Sequence, residues 1–528
     1  MKNQSRRDFL KATAAVAVTG AISKDAWTHQ AFAQQAGSVA ASEWDYRRAK
    51  ELVEALHARK ISSLELAEHV IARIEALDPR INAVVVRDFD RAREAAKAAD
   101  AALVRGERRP LLGIPMVVKE SFNVAGLPTT WGIPTAKNWT PKEDALTVAR
   151  LKAAGAVILG KTNVPISLGD WQSYNDIYGT TNNPWDLGRT PGGSSGGSAA
   201  ALAAGYGPLS LGSDIGGSLR VPAHYCGVYA HKPTLNLVPL RGQTPPGAPS
   251  LPQESDLAVA GPMARSAADL ALALDVIAGP DEARAGIGYR LALPAPRHDE
   301  LKSFRVLVVD THPLLPTATT VRTALDRLSQ RLVKAGVKVG HESPLLPDLA
   351  DSARLYMRLL LPAFSASWPL DQYKQAQGAA EALNPDDKSL AAERSRGAVL
   401  SHRDWVAAYR ARAGLQQRWS ELFREWDIVL CPPMPTPAFP HDHSMPASAR
   451  RIEIDGKEYP YFDQLVWPEI ATTPGLPATA VPIDRSETGL PIGVQIVGPY
   501  LEDRTTIAFA ELIEREFGGF VPPPGYAG

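Results

Sequence analysis

Apolar residues recur at a spacing of three and four from about Glu43 onward, first in Tyr46 to Ala58 and then in Leu64 to Leu77, with charged residues between them. That period gathers the apolar side chains on one stripe, so it predicts two amphipathic helices, and a third over Arg91 to Val104. The register then changes. Leu111 to Val118 is a short apolar run, opened by Gly113 and Pro115 and ending at Lys119, which suits a strand buried on both faces. Val148 to Ala154 and Ala156 to Leu159 repeat the sequence of helix then strand. Much later, Phe304 to Val309 predicts a strand, Val321 to Ala335 an amphipathic helix and Val337 to Val339 another strand. Alternation of this kind indicates an α/β layered fold. Asp351 to Arg412 reads as mostly helical, with a polar, Ala-rich patch at Gln375 to Glu393 expected to be a surface excursion. No repeat or long linker interrupts the pattern, so a single domain is expected over residues 43–524.

The first residues do not belong to that pattern. Arg6 and Arg7 precede Phe9-Leu10, a modest apolar stretch runs from Ala12 to Ile22, and small residues close it at Ala31-Phe32-Ala33. This order reads as a twin-arginine signal peptide over residues 1–33, which places the expected destination in the periplasm or outside the cell. The apolar stretch is too short for a permanent membrane anchor. The whole chain carries no net charge, and loss of the signal's five Lys/Arg and two Asp would leave −3. Without a basic run or stripe, no nucleic-acid partner is expected. Cys226 and Cys431 both sit in apolar or proline-rich settings, where buried free thiols are expected in preference to a bridge.

Chemistry concentrates between Thr190 and Thr234, where two glycine-serine turns each lead toward a helix start. The first is Gly192-Gly193-Ser194-Ser195-Gly196-Gly197-Ser198, running into Ala199 to Ala204. The second is Asp214-Ile215-Gly216-Gly217-Ser218-Leu219-Arg220, after the short apolar run Leu209 to Leu211. Glycine lets backbone N–H groups approach a ligand closely, and a helix start collects free donors in a positive potential, so such a turn can hold a developing oxyanion. A flexible linker would not sit inside a dense α/β pattern, and the lysine ending of a phosphate loop is absent.

The string from Gly192 to Thr234 resembles the signature block of the amidase-signature family, which includes bacterial amidases, fatty acid amide hydrolase and the A subunit of glutamyl-tRNA amidotransferase. Leu112 to Gly126, Gly160 to Trp185, Thr473 to Ala478 and Gly489 to Pro499 extend the resemblance, which is weakest between Asp351 and Asp427. It implies a central mixed, twisted sheet covered by helices on both faces. It implies amide hydrolysis through an acyl-enzyme, with no metal or organic cofactor, acting on a small-molecule amide in a monomer or homodimer. Carried over by motif, Ser218 matches the nucleophile, Ser194 the bridging serine in a cis peptide and Lys119 the general base. The N–H groups of Ile215, Gly216, Gly217 and Ser218 match the oxyanion hole, and Leu168 falls where a backbone group touches substrate. A lysine serves as base only if burial lowers its pKa, and the end of an apolar strand offers that burial.

Other residues are weighed against these. Lys161 is a rival lysine expected to be structural, and Asp214 and Arg220 are expected to pair across the second turn. His441 and His443 lack a third metal ligand nearby and read as a solvated loop. Trp131, Asp170, Trp171 and Tyr174 are candidates for an acyl pocket with a preference for bulky or aromatic groups. Ile166 stands where many relatives have glutamate, which affects packing near the substrate entrance. Esterase or aryl acylamidase activity is the alternative within enzymes. Outside simple hydrolases the alternative is an amidotransferase-type component, although an exported protein would meet no tRNA.

Overall fold

The computed structural model describes residues 42–526. The signal-peptide reading of residues 1–33 lies outside them. The helix Ser63–Ile81 shows why the local pattern succeeds: Ser62 accepts from the Glu65 N–H while the Glu65 carboxylate takes the Ser62 N–H, closing the helix start, and Leu66, Val70, Ile74 and Leu77 form the buried stripe. The first predicted helix begins three residues late, at Ala49, because Tyr46 is held in the left-handed region. The strand expected from Leu111 likewise starts only at Pro115, since Gly113 turns the chain at φ 83°.

Eleven strands form one sheet: Val84–Arg87 (β1), Pro115–Lys119 (β2), Val157–Thr162 (β3), Leu209–Asp214 (β4), Tyr229–Lys232 (β5), Val259–Ala264 (β6), Arg305–Val308 (β7), Lys338–Gly340 (β8), Ile428–Cys431 (β9), Ala478–Arg485 (β10) and Pro491–Val497 (β11). Their order across the sheet is β1-β3-β2-β4-β6-β5-β10-β11-β9-β7-β8. Parallel pairing of β3, β2 and β4 at one end and of β9, β7 and β8 at the other flanks an antiparallel centre, so the sheet is mixed. Period-two alternation buries both faces. Met116, Val118 and Ile158 point into one core, and Val117, Val157 and Leu159 into another. Helices Leu146–Ala153 and Ala267–Ile277 contribute to the first core, while Ser63–Ile81, Phe89–Val104 and Gly196–Ala203 contribute to the second. The fold is the α/β arrangement that the sequence implies.

Two regions differ from their reading. β1, at the sheet edge, is four residues long, too short for its period to stand out from the helix before it. The polar patch at 375–393 is only partly a surface excursion: helix Leu370–Glu381 buries nothing, but helix Leu390–Ala398 buries Leu390, Ala392 and Glu393 against helix Leu349–Ser365. The parallel strands β2 and β4 end side by side, with Lys119 and Asp214 as their last residues, and ligand sites in α/β sheets favour such carboxyl ends.

Candidate active site

Lys119 is fully buried, and its Nζ donates to Ser194 Oγ at 2.7 Å and to Ser213 Oγ at 2.9 Å. Burial pulls its pKa down to about 7, while the Asp214 charge pulls the other way. The amine can therefore give and take a proton near neutral pH. Ser194 follows a cis peptide bond from Gly193. A side chain at Gly193 would run into the Asp170 carbonyl oxygen, so the first turn requires glycine there.

The second turn is built around Asp214. Its carboxylate accepts from the Gly217 N–H (2.9 Å), the Leu219 N–H (3.0 Å) and Arg220 Nε and Nη2 (3.0 and 2.9 Å), which is the expected ion pair, fully buried. Burial alone would raise the Asp214 pKa, but Arg220 and these hydrogen bonds outweigh it and hold the group at about 2. Gly217, at φ 94°, could not carry a Cβ without meeting Val221 and Pro468. The carbonyls of the turn are also fixed, Ile215 O by the Tyr356 hydroxyl (2.6 Å) and Gly216 O by Trp171 Nε1 (2.9 Å). Because C=O and N–H of a trans peptide point in opposite directions, fixing Ile215 O also aims the Gly216 N–H. Of the four amides nominated from sequence, that of Gly217 is committed to Asp214. Those of Ile215, Gly216 and Ser218 donate to no other described residue.

Ser218 is 6% exposed and lines a cavity of ≈ 300 Å³ together with Leu168, Asp170, Trp171, Ile215 and Gly216. Its Oγ enters no hydrogen bond among the described residues, so Ser194 and Ser218 are neighbours in the site without being bonded through their hydroxyls. Trp131 and Tyr174 do not line this cavity. Trp131 is braced by Glu120 and the Ser121 carbonyl, and the Tyr174 hydroxyl accepts from Arg450 (2.7 Å). Asp170 reaches the wall, but its carboxylate is taken by Arg450 (2.6 Å) and the Tyr461 hydroxyl (2.7 Å). Phe364, Trp368, Arg394, Phe462 and Leu465, none of them singled out from the sequence, also line it, beside Leu360 and Leu361. The apolar register of helix Leu349–Ser365 could have pointed to Leu360, Leu361 and Phe364, whereas Trp368, Arg394, Phe462 and Leu465 come from other segments that carried no such signal.

Lys161 is also buried and lowered to about 8, yet its amine donates to the Pro128 carbonyl and Thr129 Oγ1 (2.6 Å) and to no serine among the described residues. His441 and His443 are packed instead of solvated. His443 stacks on Tyr174 at 3.7 Å and His441 faces Asn182 Oδ1 at 3.1 Å. Cys226 and Cys431 are both buried and free. Ile166 stays 43% exposed, beside Ser167 and Leu168 in left-handed conformations.

Residues 3–23 match the twin-arginine translocation pathway signal sequence, and residues 65–507 match the amidase family. Among the described residues no helix is long and apolar enough to cross a membrane. The chain is 34% identical over 486 residues to the A subunit of the glutamyl-tRNA(Gln) amidotransferase from Anaeromyxobacter sp. (strain K), covering 88% of this chain and 95% of that one. It is 32% identical over 505 residues to fatty-acid amide hydrolase 2-A of Danio rerio, covering 90% and 89%. A bacterial aryl acylamidase of known structure superposes with a TM-score of 0.74 at 25% identity, covering 92% of this chain and 98% of that one. With Lys119 at the end of β2 against the first glycine-serine turn, the second turn at the end of β4 and a match spanning most of its length, the chain belongs to the amidase signature family of hydrolases.

Proposed function

We propose that this protein is an exported amidase that hydrolyses carboxylic amides to the acid and ammonia or an amine through a serine acyl-enzyme. Ser218 is the nucleophile, Lys119 the general base and Ser194 the relay between them. The observation that carries this reading is the buried Lys119 amine, titrating at about 7 and 2.7 Å from Ser194 Oγ, one serine away from the cavity that Ser218 lines. The neutral amine takes the Ser194 proton as Ser194 takes that of Ser218, and Ser218 Oγ adds to the amide carbonyl. Negative charge then collects on the carbonyl oxygen, toward the uncommitted amides of Ile215, Gly216 and Ser218. The proton passes to the leaving nitrogen, the C–N bond breaks, and water repeats the addition to release the acid. No metal or cofactor takes part, and the partner is a small-molecule amide, met by a monomer or homodimer.

A cavity of ≈ 300 Å³ lies at the lower end of the usual ~300–1,000 Å³ range for ligand pockets, and its aromatic lining favours a compact aromatic or branched acyl group. Anilides and esters are the second reading, supported by the likeness to the aryl acylamidase. A panel of matched primary amides, anilides and esters, read as ammonia, aniline or alcohol release, separates the two. A fluorophosphonate should abolish turnover and label Ser218, while a chelator leaves activity intact. Loss of activity to a chelator, restored by zinc, would overturn the serine mechanism. We place the enzyme in the periplasm or outside the cell. Replacing Arg6 and Arg7 by Lys should trap precursor in the cytoplasm, and undiminished export would refute this address.

A further inference from the structure

An amide of the second turn is aimed by the carbonyl on the far side of its own peptide bond, since the two groups point in opposite directions. The Ser218 N–H is aimed through Gly217 O, which accepts from the Val221 N–H at 2.7 Å, a bond within the same stretch of chain. The Gly216 N–H is aimed through Ile215 O, and there the turn offers no local support. Among the described residues Ile215 O accepts solely from the Tyr356 hydroxyl, at 2.6 Å and 141 residues away. Tyr356 is fully buried. Burial pushes its hydroxyl well above the usual tyrosine range, so it stays protonated and remains a donor throughout the neutral range.

Tyr356 belongs to helix Leu349–Ser365, where steps of four residues bring successive side chains along one side. Ser352 donates to Glu469 Oε2 at 2.8 Å, which ties the helix to the segment whose Pro468 carbonyl oxygen accepts from Arg220. Tyr356 comes next, and then Leu360 and Phe364, which line the cavity at Ser218. The contact with the turn is close. A Cβ on Gly216 would lie 3.3 Å from the Tyr356 hydroxyl and from Leu465. One helix therefore bears on the glycine-serine turn through Tyr356 and on the cavity wall through the residues after it.

We propose that Tyr356 is a positioning residue for amide hydrolysis, its hydroxyl holding the Ile215–Gly216 peptide so that the Gly216 N–H meets the developing oxyanion. This rests on the serine acyl-enzyme reading given above. A donor held in place beforehand does not reorganise as charge develops, so its effect falls on the transition state and not on substrate binding. Every amide presents the same reacting carbonyl. The effect of Tyr356 is thus independent of the acyl group, unlike that of Leu360 and Phe364.

Steady-state kinetics of Tyr356→Phe on an aromatic primary amide and on acetamide test this. Both substrates should lose kcat by the same factor, about tenfold to a hundredfold, with little change in KM. The inflection that Lys119 gives near pH 7 should persist. Trp171→Phe removes a comparable bond, to Gly216 O at 2.9 Å, but the amide behind that carbonyl is the Gly217 N–H committed to Asp214. That variant should raise KM more than it lowers kcat. Unchanged kcat in Tyr356→Phe, or a loss that varies with the acyl group, overturns the proposal and leaves the amidase reading in place. If the wild type hydrolyses no amide, the amidase reading falls, and the rate at which a fluorophosphonate labels Ser218 decides, because its phosphonyl oxygen takes the place of the oxyanion. Slower labelling of Tyr356→Phe then supports the role of Tyr356, and equal or absent labelling overturns it. If Tyr356→Phe does not fold, Ser352→Ala, which loosens the same helix one turn earlier, carries the test through the same fall in kcat at constant KM.

Discussion

Lys119, Lys161 and Lys232 are all fully buried lysines with pKa values drawn down toward neutrality, and burial alone cannot tell a base from a bystander. Hydrogen bonding does. Lys161 is occupied by the loop at Pro128 and Thr129, and Lys232 donates to the Pro233 carbonyl, whereas Lys119 donates to Ser194 Oγ. In the proposed mechanism Lys119 works as a neutral base, so kcat/KM should rise with pH through about 7 and level off above. In Lys119→Ala that inflection should vanish, leaving a residual rate that climbs with hydroxide. Ser218→Ala should fall to background, and Ser194→Ala should lose less than either. Because the three act as a unit, the triple variant should be scarcely slower than Ser218→Ala. Near-normal neutral rates in Lys119→Ala, lost instead in Lys161→Ala, would move the base role to Lys161. Stability follows from the same shift. The folded pKa of about 7 lies below the ordinary 10.5, so between these values the unfolded chain binds more protons and stability rises with pH. Below about 7 the penalty is fully present. Lys119→Met should therefore be more stable than wild type at pH 7, by about 0.5–2 kcal/mol, in a urea titration.

At the scale of elements, the two glycine-serine turns are rigid for different reasons. The first is enforced by close packing, since Gly193 touches the backbone at Asp170. The second is enforced by charge, through the Asp214 carboxylate and Arg220, which also reaches Gln495 Oε1 and Thr472 Oγ1. Asp214→Asn leaves the Arg220 charge buried without its counter-ion and should cost about 3–5 kcal/mol, seen as a lower urea midpoint with an unchanged slope. It should also lower kcat more than it raises KM, because the freed turn loses its aim at the reacting oxygen. The ion pair was legible from the sequence, since both residues flank one short turn. That the same carboxylate takes the Gly217 amide, and so removes it from the set of free donors, was not legible. It depends on the path of the backbone through Ile215 to Leu219.

At the scale of the molecule, the cavity at Ser218 is lined by helix Leu349–Ser365 and by residues that follow it, Trp368 and Arg394, all far along the chain from Ser218 itself. This is the region where the family resemblance fades, which under the proposed mechanism suits a wall that sets which acyl group fits. Phe364→Ala should raise KM for an aromatic amide by about tenfold or more and leave an acetamide-sized substrate almost unaffected. Equal losses on both substrates would remove Phe364 from the acyl pocket.

The sequence by itself determined the alternation of helices and strands, the two catalytic-looking turns and the lysine at the end of β2, because hydropathy period and short motifs are local properties of the chain. Only the tertiary structure decided which lysine meets a serine, that Tyr174 and Trp131 stand outside the cavity, and that Arg450 and Tyr461 take up the Asp170 carboxylate. Each of these depends on partners brought together from distant segments, and the pattern of a single segment carries no record of what will pack against it.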